Sequence, residues 1–170
     1  RSTLFPYTTL FRSWKGELPS ALERGGRLPP LQLGQLILIL ESAGGRRLGL
    51  ASYTSIDLRN RRMELSIGIP GEVPSRAGIK ATMMLLHHGL ERLAFNKIYS
   101  HIYADNTSAL HNALKLGFVH EGLLEDHFHF PEAGYVSVNV LAITRRHFHS
   151  DAQLRRLSGK LLPGWQMRNG

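Results

Sequence analysis

The residues best suited to chemistry lie where an apolar segment, Met63 to Ile69, runs into a loop and a helix start. That loop reads Glu72-Val-Pro-Ser-Arg-Ala-Gly-Ile-Lys-Ala81. Free backbone N–H groups and the positive end of the helix dipole attract an anion such as a phosphate at such a point. Arg76 and Lys80 can donate directly to phosphate oxygens. Because one glycine in a loop is a weak signal, an ordinary helix start is the alternative interpretation.

A second segment combines two strands with a capped helix between them. Tyr99 to Ala104 has strand-forming residues, Asn106 is a good N-cap, and Ser108 to Leu116 carries the 3.6-residue apolar period of a helix. Gly117 ends the helix, and the following Phe and Val resume an extended segment. The unit is therefore predicted to be strand, Asn-capped helix, Gly stop and strand.

In that order, Asn106-Thr-Ser-Ala followed by Gly117-Phe-Val-His-Glu-Gly122 resembles a signature of the GNAT superfamily of N-acetyltransferases. The resemblance is to the acyl-CoA-binding half of that superfamily, and it implies that acetyl-CoA is the acyl donor substrate. The loop before the first helix matches the family's Gln/Arg-x-x-Gly-x-Gly/Ala pattern in part, because Ser75 and Lys80 depart from it. The coenzyme-binding residues implied are Ile67, Gly68, Ile69, Arg76, Ala77, Gly78, Ile79, Lys80, Ala81, Asn106 and Asn112.

Acetyl transfer to an amine needs a base, a polarised thioester carbonyl and a thiolate leaving group. Glu64 stands where the RimJ/RimL-like branch of the family carries a strand glutamate, and it is the candidate catalytic base. A solvent-facing glutamate is the alternative. Backbone N–H groups of Ile67 to Ile69 are expected to bind the carbonyl oxygen, because Pro70 cannot donate to a neighbouring strand and the sheet should open there. Ala113 occupies the position of the family's usual acid, a tyrosine.

Nine histidines raise the question of a metal or an imidazole site. His127 and His129 are expected on one strand face near the last hairpin, where they would line the acceptor pocket. His87 and His88 lie on adjacent helix faces. Since no third ligand stands at a telling distance, no metal is expected.

The order of the predicted elements indicates an α/β fold with a mixed sheet. The resemblance implies that this is the GNAT-like layout, a mostly antiparallel central sheet with flanking helices. The family's first strand and first helix are expected to be missing. Strands are predicted over Leu36–Glu41, Arg47–Tyr53, Met63–Ile69, Ile98–Ala104, Val119–Phe130 and Tyr135–Ile143. Helices are predicted over Arg76–Phe95, Ser108–Leu116 and Arg146–Leu157.

The charge and the composition limit the partners. The formal net charge is +8, which favours anionic partners and leaves nucleic acid or the ribosome open, although the basic clusters are scattered. The chain has no cysteine, so disulfides and thiolate metal sites are excluded, and a cytoplasmic location is favoured. No apolar run has the length of a membrane span, and no membrane partner is expected.

Residues 1–13 resemble the translation of a sequencing-library adapter, so they are left out of the fold prediction. A genuine N-terminal strand is the alternative. If the adapter interpretation holds, the natural protein begins upstream of Trp14. The predicted organisation is a non-native segment at 1–13, an N-terminally truncated acetyltransferase domain at 14–150 and a C-terminal tail at 151–170.

The sequence thus predicts an enzyme that transfers an acetyl group from acetyl-CoA to a primary amine, either a protein N-terminus or a small molecule. A non-catalytic module of the same fold, which holds coenzyme A or docks to the ribosome or RNA, is the alternative.

Overall fold

The computed structural model describes residues 35–42, 45–69 and 75–162, with only the backbone described for Ser75 and Arg76. The adapter-like segment 1–13, the expected loss of a first strand and helix, and the loop at 71–74 all lie outside the described residues.

Six strands form one mixed sheet in the order β1-β2-β3-β4-β6-β5. The strands are β1 (Leu36–Glu41), β2 (Arg47–Asp57), β3 (Arg62–Gly68), β4 (Lys97–Tyr103), β5 (Val119–Phe130) and β6 (Gly134–Thr144). Neighbouring strands are antiparallel except β3 and β4, which are parallel. A parallel pair requires a crossover connection, and the helix between β3 and β4 supplies it. The predicted α/β fold with a mixed, mostly antiparallel sheet and flanking helices is confirmed.

The helices are α1 (Ser75–His87), α2 (Thr107–Lys115), α3 (Arg145–Ser150) and α4 (Ala152–Leu161). A π-helical turn, His88–Arg92, continues α1. It passes directly over the sheet at Gly89, where a Cβ would collide with the side chains of Met63 and Ile98. Glycine therefore allows the close helix-to-sheet approach at this turn.

The core lies between α1 and one face of the sheet. Tyr53, Met63 and Ile98 of the sheet are fully buried, as are Leu86 and Leu90 on the helical segment. The Tyr53 hydroxyl donates to the Leu85 carbonyl over 2.6 Å, which ties α1 to β2 at the centre of this core. With one face of β3 fixed in the core, alternate β3 side chains such as Glu64 must leave from the opposite face.

The C-terminal region differs from its prediction. The expected single helix Arg146–Leu157 is two helices, because the Asp151 side chain accepts from the backbone N–H of Gln153 and Leu154 and starts α4. Residues assigned to the tail at 151–170 are helical as far as Leu161. Leu154 and Ser158 are buried, so this part of the predicted tail packs on the domain.

Candidate active site

The two parallel strands at the centre of the sheet separate part of the way along. β3 pairs with β4 only through Arg62, Met63 and Glu64, which face Lys97, Ile98 and Tyr99. Beyond this point the Ser100 hydroxyl donates to the Leu65 carbonyl over 2.6 Å in place of a backbone partner. The prediction attributed the opening to Pro70. The strands in fact part after Glu64, which leaves a longer edge of β3 facing the gap.

The separation opens a cleft of about 690 Å³ through the sheet. A volume of this size is typical of ligand pockets. Seven of the predicted site residues line it, namely the candidate base and six predicted coenzyme-binding residues: Glu64, Ile67, Ile69, Gly78, Ile79, Asn106 and Asn112. They come from β3 and the residue after it, from α1, and from α2 and its N-cap. The fold thus brings together groups that lie up to about fifty positions apart in the sequence.

Most of the other predicted coenzyme-binding residues do not line the described cleft. Lys80 is exposed on α1, and Gly68, Ala77 and Ala81 are not among the residues that line the described cleft. Arg76 lies in the first turn of α1. A Cβ on Gly78 would meet only the end of the Ile69 side chain, at 3.4 Å. Protein packing therefore does not require glycine at 78, which keeps open a role in close approach of a ligand.

Helix α2 is built as its sequence predicts. The Asn106 side chain accepts from the Ala109 backbone N–H over 3.0 Å, which caps the N-terminus. Gly117 has a φ of +81°, and Phe118 N–H bonds to the Ala113 carbonyl over 3.1 Å, which ends the helix. The predicted cap and stop are confirmed. Because the same cap faces the cleft, Asn106 can serve both as helix cap and as a ligand contact.

Glu64 is held by its neighbours at the point where the strands part. Its Oε1 lies 2.8 Å from His101 Nδ1, and the Thr54 hydroxyl donates to its Oε2 over 3.4 Å. The Glu64 side chain is 19% exposed and that of His101 is 22% exposed. A carboxylate that is partly buried, oriented by an imidazole and open to a cleft can accept a proton from a bound amine.

His101 continues into a series of ring contacts. Its ring stacks on that of His127 with centroids 5.8 Å apart, and it meets Tyr99 edge to face at 5.7 Å. His129 contacts Tyr135 instead, with centroids 4.8 Å apart. The two histidines predicted for the acceptor pocket thus have different neighbours, because β5 changes register between Leu124 and Phe128. His129 lines the cleft. His127 is not among the lining residues, but it stacks on His101, which is.

One charged residue of the predicted coenzyme-binding signature has a partner within the protein. Glu121, within the Gly-Phe-x-x-Glu-Gly segment, forms an ion pair with Lys97 over 2.7 Å. Within the described ranges, no group of three or more histidine, aspartate or glutamate side chains is arranged to hold a metal ion. In the same part of the chain, no helix combines the length and the apolar character that crossing a bilayer requires.

The sequence prediction missed His101, Ser100 and Tyr103. A signal for His101 and Tyr103 was present, since they alternate with Tyr99 along β4 and must share its face. Glu64 lies opposite Tyr99 only because β3 and β4 are parallel and in this register. Side-chain alternation indicates which β4 residues share a face. Which β3 residue lies beside them depends on the pairing of the two strands in the tertiary structure.

The fold and the cleft define a GNAT-like acyltransferase architecture: a mixed, mostly antiparallel six-stranded sheet with flanking helices and a parallel pair that separates. The spermidine/spermine N-acetyltransferase SpeG from Vibrio cholerae, solved with manganese ions, is similar at 25% identity and a TM-score of 0.65, over 70% of each chain. A mutant form of SpeG is similar at 25% identity and a TM-score of 0.65, over 70% of this chain and 72% of that one. A chimera of SpeG and hSSAT gives 25% identity and a TM-score of 0.63, over 68% and 69%. The sequence matches no protein-family model and no curated protein.

Proposed function

We propose that this protein is an N-acetyltransferase that transfers an acetyl group from acetyl-CoA to a primary amine. The observation that carries the proposal is the position of Glu64, a carboxylate at the apex of the gap between β3 and β4. The similarity to spermidine N-acetyltransferases supports an amine acceptor. We assign the chain to the RimJ/RimL-like branch and to the cytoplasm on the sequence alone.

The donor would lie between the separated strands. Beyond Leu65, whose carbonyl accepts from Ser100, β3 has no β4 partner among the described pairs. The β3 backbone groups that point into the gap there are available to an extended pantetheine arm. Asn106 and Asn112 line the cleft from α2, and the start of α1 supplies free N–H groups for the phosphates. Backbone N–H groups of Ile67 to Ile69 would bind the thioester oxygen as negative charge develops on it.

Glu64 would accept the proton that the amine must lose. The amine nitrogen attacks the thioester carbon and forms the amide C–N bond, while the C–S bond breaks and the sulfur leaves as a thiolate. An alkyl thiol has a pKa of roughly 8.5, so the thiolate can leave with little acid assistance. Ala113 lines the cleft at the position where the family often has a tyrosine acid, which is consistent with departure as the anion.

His101 would position this base. Because the ionised carboxylate only accepts hydrogen bonds, the imidazole Nδ1 carries the hydrogen in the bond of 2.8 Å to Glu64. The contact fixes one carboxylate oxygen and leaves the group facing the cleft. His101 is therefore a positioning residue for Glu64.

The test is a thiol-release assay with acetyl-CoA and a panel of amines on Glu64→Gln. The amide keeps the shape of the side chain but cannot take a proton, so turnover should fall on the order of a hundredfold. The Kd for acetyl-CoA, measured by calorimetry, should stay within about twofold of wild type. An equal loss of turnover and of acetyl-CoA affinity would show instead that Glu64 is structural.

A non-catalytic coenzyme A-binding module is the second candidate. It is favoured by the described cleft lining, which contains no lysine or arginine and has Ala113 in place of an acid. Tight binding of acetyl-CoA by the wild-type chain, with no thiol released for any amine of the panel, would select the module. Docking to the ribosome or RNA would be tested by co-sedimentation with purified ribosomes in increasing salt.

A further inference from the structure

The cleft has an aromatic wall next to the proposed base. We define the ring wall as Tyr103, Phe128 and Phe130, all of which line the cleft. Tyr103 meets Phe128 edge to face at 6.2 Å and Phe130 at 5.9 Å. The three rings come from the end of β4 and from the last hairpin, the place where β4 has already separated from β3.

The ring wall is continuous with the Glu64 site through aromatic contacts. Glu64 bonds to His101, His101 stacks on His127, and the His127 ring lies 4.7 Å from that of Phe128. By strand alternation, His101 and Tyr103 project from the same face of β4. An acceptor whose amine reaches Glu64 would therefore extend its other end along the rings.

Within the ring wall, Phe128 can contact a ligand directly. Phe128 is 39% exposed and lines the cleft, so part of its ring surface is not covered by the protein. Covering that ring with apolar ligand surface is favourable, and an aromatic ligand gains further from edge-to-face or offset stacking.

The number of carboxylates in the cleft lining indicates whether a monoamine or a polyamine fits the site better. Within the described part of the cleft, Glu64 is the one carboxylate. A polyamine carries several ammonium groups, and each one that leaves water needs its own anionic or hydrogen-bonding partner. One carboxylate followed by three aromatic rings suits a molecule with one amine and an apolar body.

We propose that the acceptor is an arylalkyl monoamine: a primary amine on a short chain that ends in an aromatic ring. This inference rests on the proposed N-acetyltransferase function. The ring of the acceptor packs against Tyr103, Phe128 and Phe130, and its amine reaches Glu64. The substrate class would then differ from that of the spermidine N-acetyltransferases that share the fold.

The test compares kcat/KM for 2-phenylethylamine, n-butylamine and spermidine in the thiol-release assay. We expect 2-phenylethylamine to exceed each of the other two by on the order of tenfold, the value of about one good stacking contact. A higher kcat/KM for spermidine would overturn the acceptor inference and leave the acetyltransferase function standing. No thiol release with any amine would contradict the proposed function itself.

Substitutions in the ring wall test which side chains cause the preference for 2-phenylethylamine. Phe128→Leu and Tyr103→Leu should reduce the preference for 2-phenylethylamine over n-butylamine severalfold, mainly through KM, whereas Tyr103→Phe should retain it. Leu123→Ala, on the same strand as Phe128, is the control, because Leu123 is exposed and is not among the cleft-lining residues. An equal effect of the Leu variants on both monoamines would show that these rings only support the fold.

Discussion

At the scale of single residues, Glu64 is defined by its surroundings. A glutamate on a strand is ordinarily a solvated side chain, and its position in the sequence alone does not distinguish a base from a surface group. The bonds to His101 and Thr54 restrict its orientation, and the separation of the strands gives it a cleft to face. The role proposed for Glu64 therefore depends on His101 as well as on the carboxylate itself.

This dependence predicts a split between two substitutions of His101. His101→Phe keeps a ring on His127 but removes the hydrogen-bond donor, so kcat should fall on the order of tenfold, as loss of one hydrogen bond to a charged group implies. His101→Asn places an amide N–H near the position of Nδ1 and should recover most of that loss. The acetyl-CoA Kd should stay constant in both.

The measurement is steady-state kinetics with calorimetry on the two variants and the wild type. Equal losses of kcat in His101→Phe and His101→Asn would show that the ring, rather than the hydrogen bond to Glu64, is what the site requires.

At the scale of elements, α2 is held between a side-chain cap and a glycine stop. Asn106 begins the helix, and Gly117 ends it in the left-handed region at φ +81°. A Cβ on Gly117 would also press on Leu154 of α4, which is buried. The end of the helix that lines the cleft is thus fixed both by local backbone conformation and by contact with α4.

We therefore expect Gly117→Ala to lower the free energy of unfolding by about 1–2 kcal/mol, from the left-handed backbone alone, with a further loss from the contact with Leu154. Gly122→Ala is the matched control, since nothing lies within 4 Å of its added Cβ. Urea unfolding followed by circular dichroism measures both. Equal midpoints for the two variants would be inconsistent with this role of Gly117.

At the scale of the whole molecule, the contact of α1 with the sheet and with the C-terminal helices buries two neighbouring histidines. His87 Nε2 lies 2.9 Å from Ser158 Oγ of α4, and His88 Nδ1 lies 3.3 Å from the Tyr53 hydroxyl of β2. Burial is the main cause that lowers the pKa of both rings, with smaller contributions from His149 for His87 and from Arg92 for His88. The pKa of His88 falls to about 4.

The sign of the resulting pH dependence follows from these shifts. Because the unfolded chain binds the proton more readily, the free energy of unfolding is highest above pH 6.5 and decreases as the pH falls toward 4. A shift from 6.5 to about 4 corresponds to about 3 kcal/mol lost over that window for His88 alone.

Urea unfolding at a series of pH values tests this, with His88→Phe as the variant and the exposed His111→Phe as the matched control. His88→Phe should flatten the dependence between pH 6.5 and 4. A slope identical to that of wild type would show that other groups govern acid stability.

Much of this protein follows from the sequence by local physical rules. The strand β4, the cap at Asn106 and the stop at Gly117 depend on near neighbours in the chain, so they could be predicted and were confirmed. The helix predicted from Arg76 onward buries Met83, Leu86 and Leu90, because the apolar face of an amphipathic helix is buried whatever covers it.

The tertiary structure determines contacts that local sequence patterns cannot predict. Whether Glu64 meets His101, where β3 and β4 part, and which rings line the gap depend on the register between strands separated by the whole length of α1. The packing of α4 on Gly117 is decided in the same way. Propensity and periodicity act over a few residues, whereas these contacts are selected by the joint packing of the sheet and helices into one core.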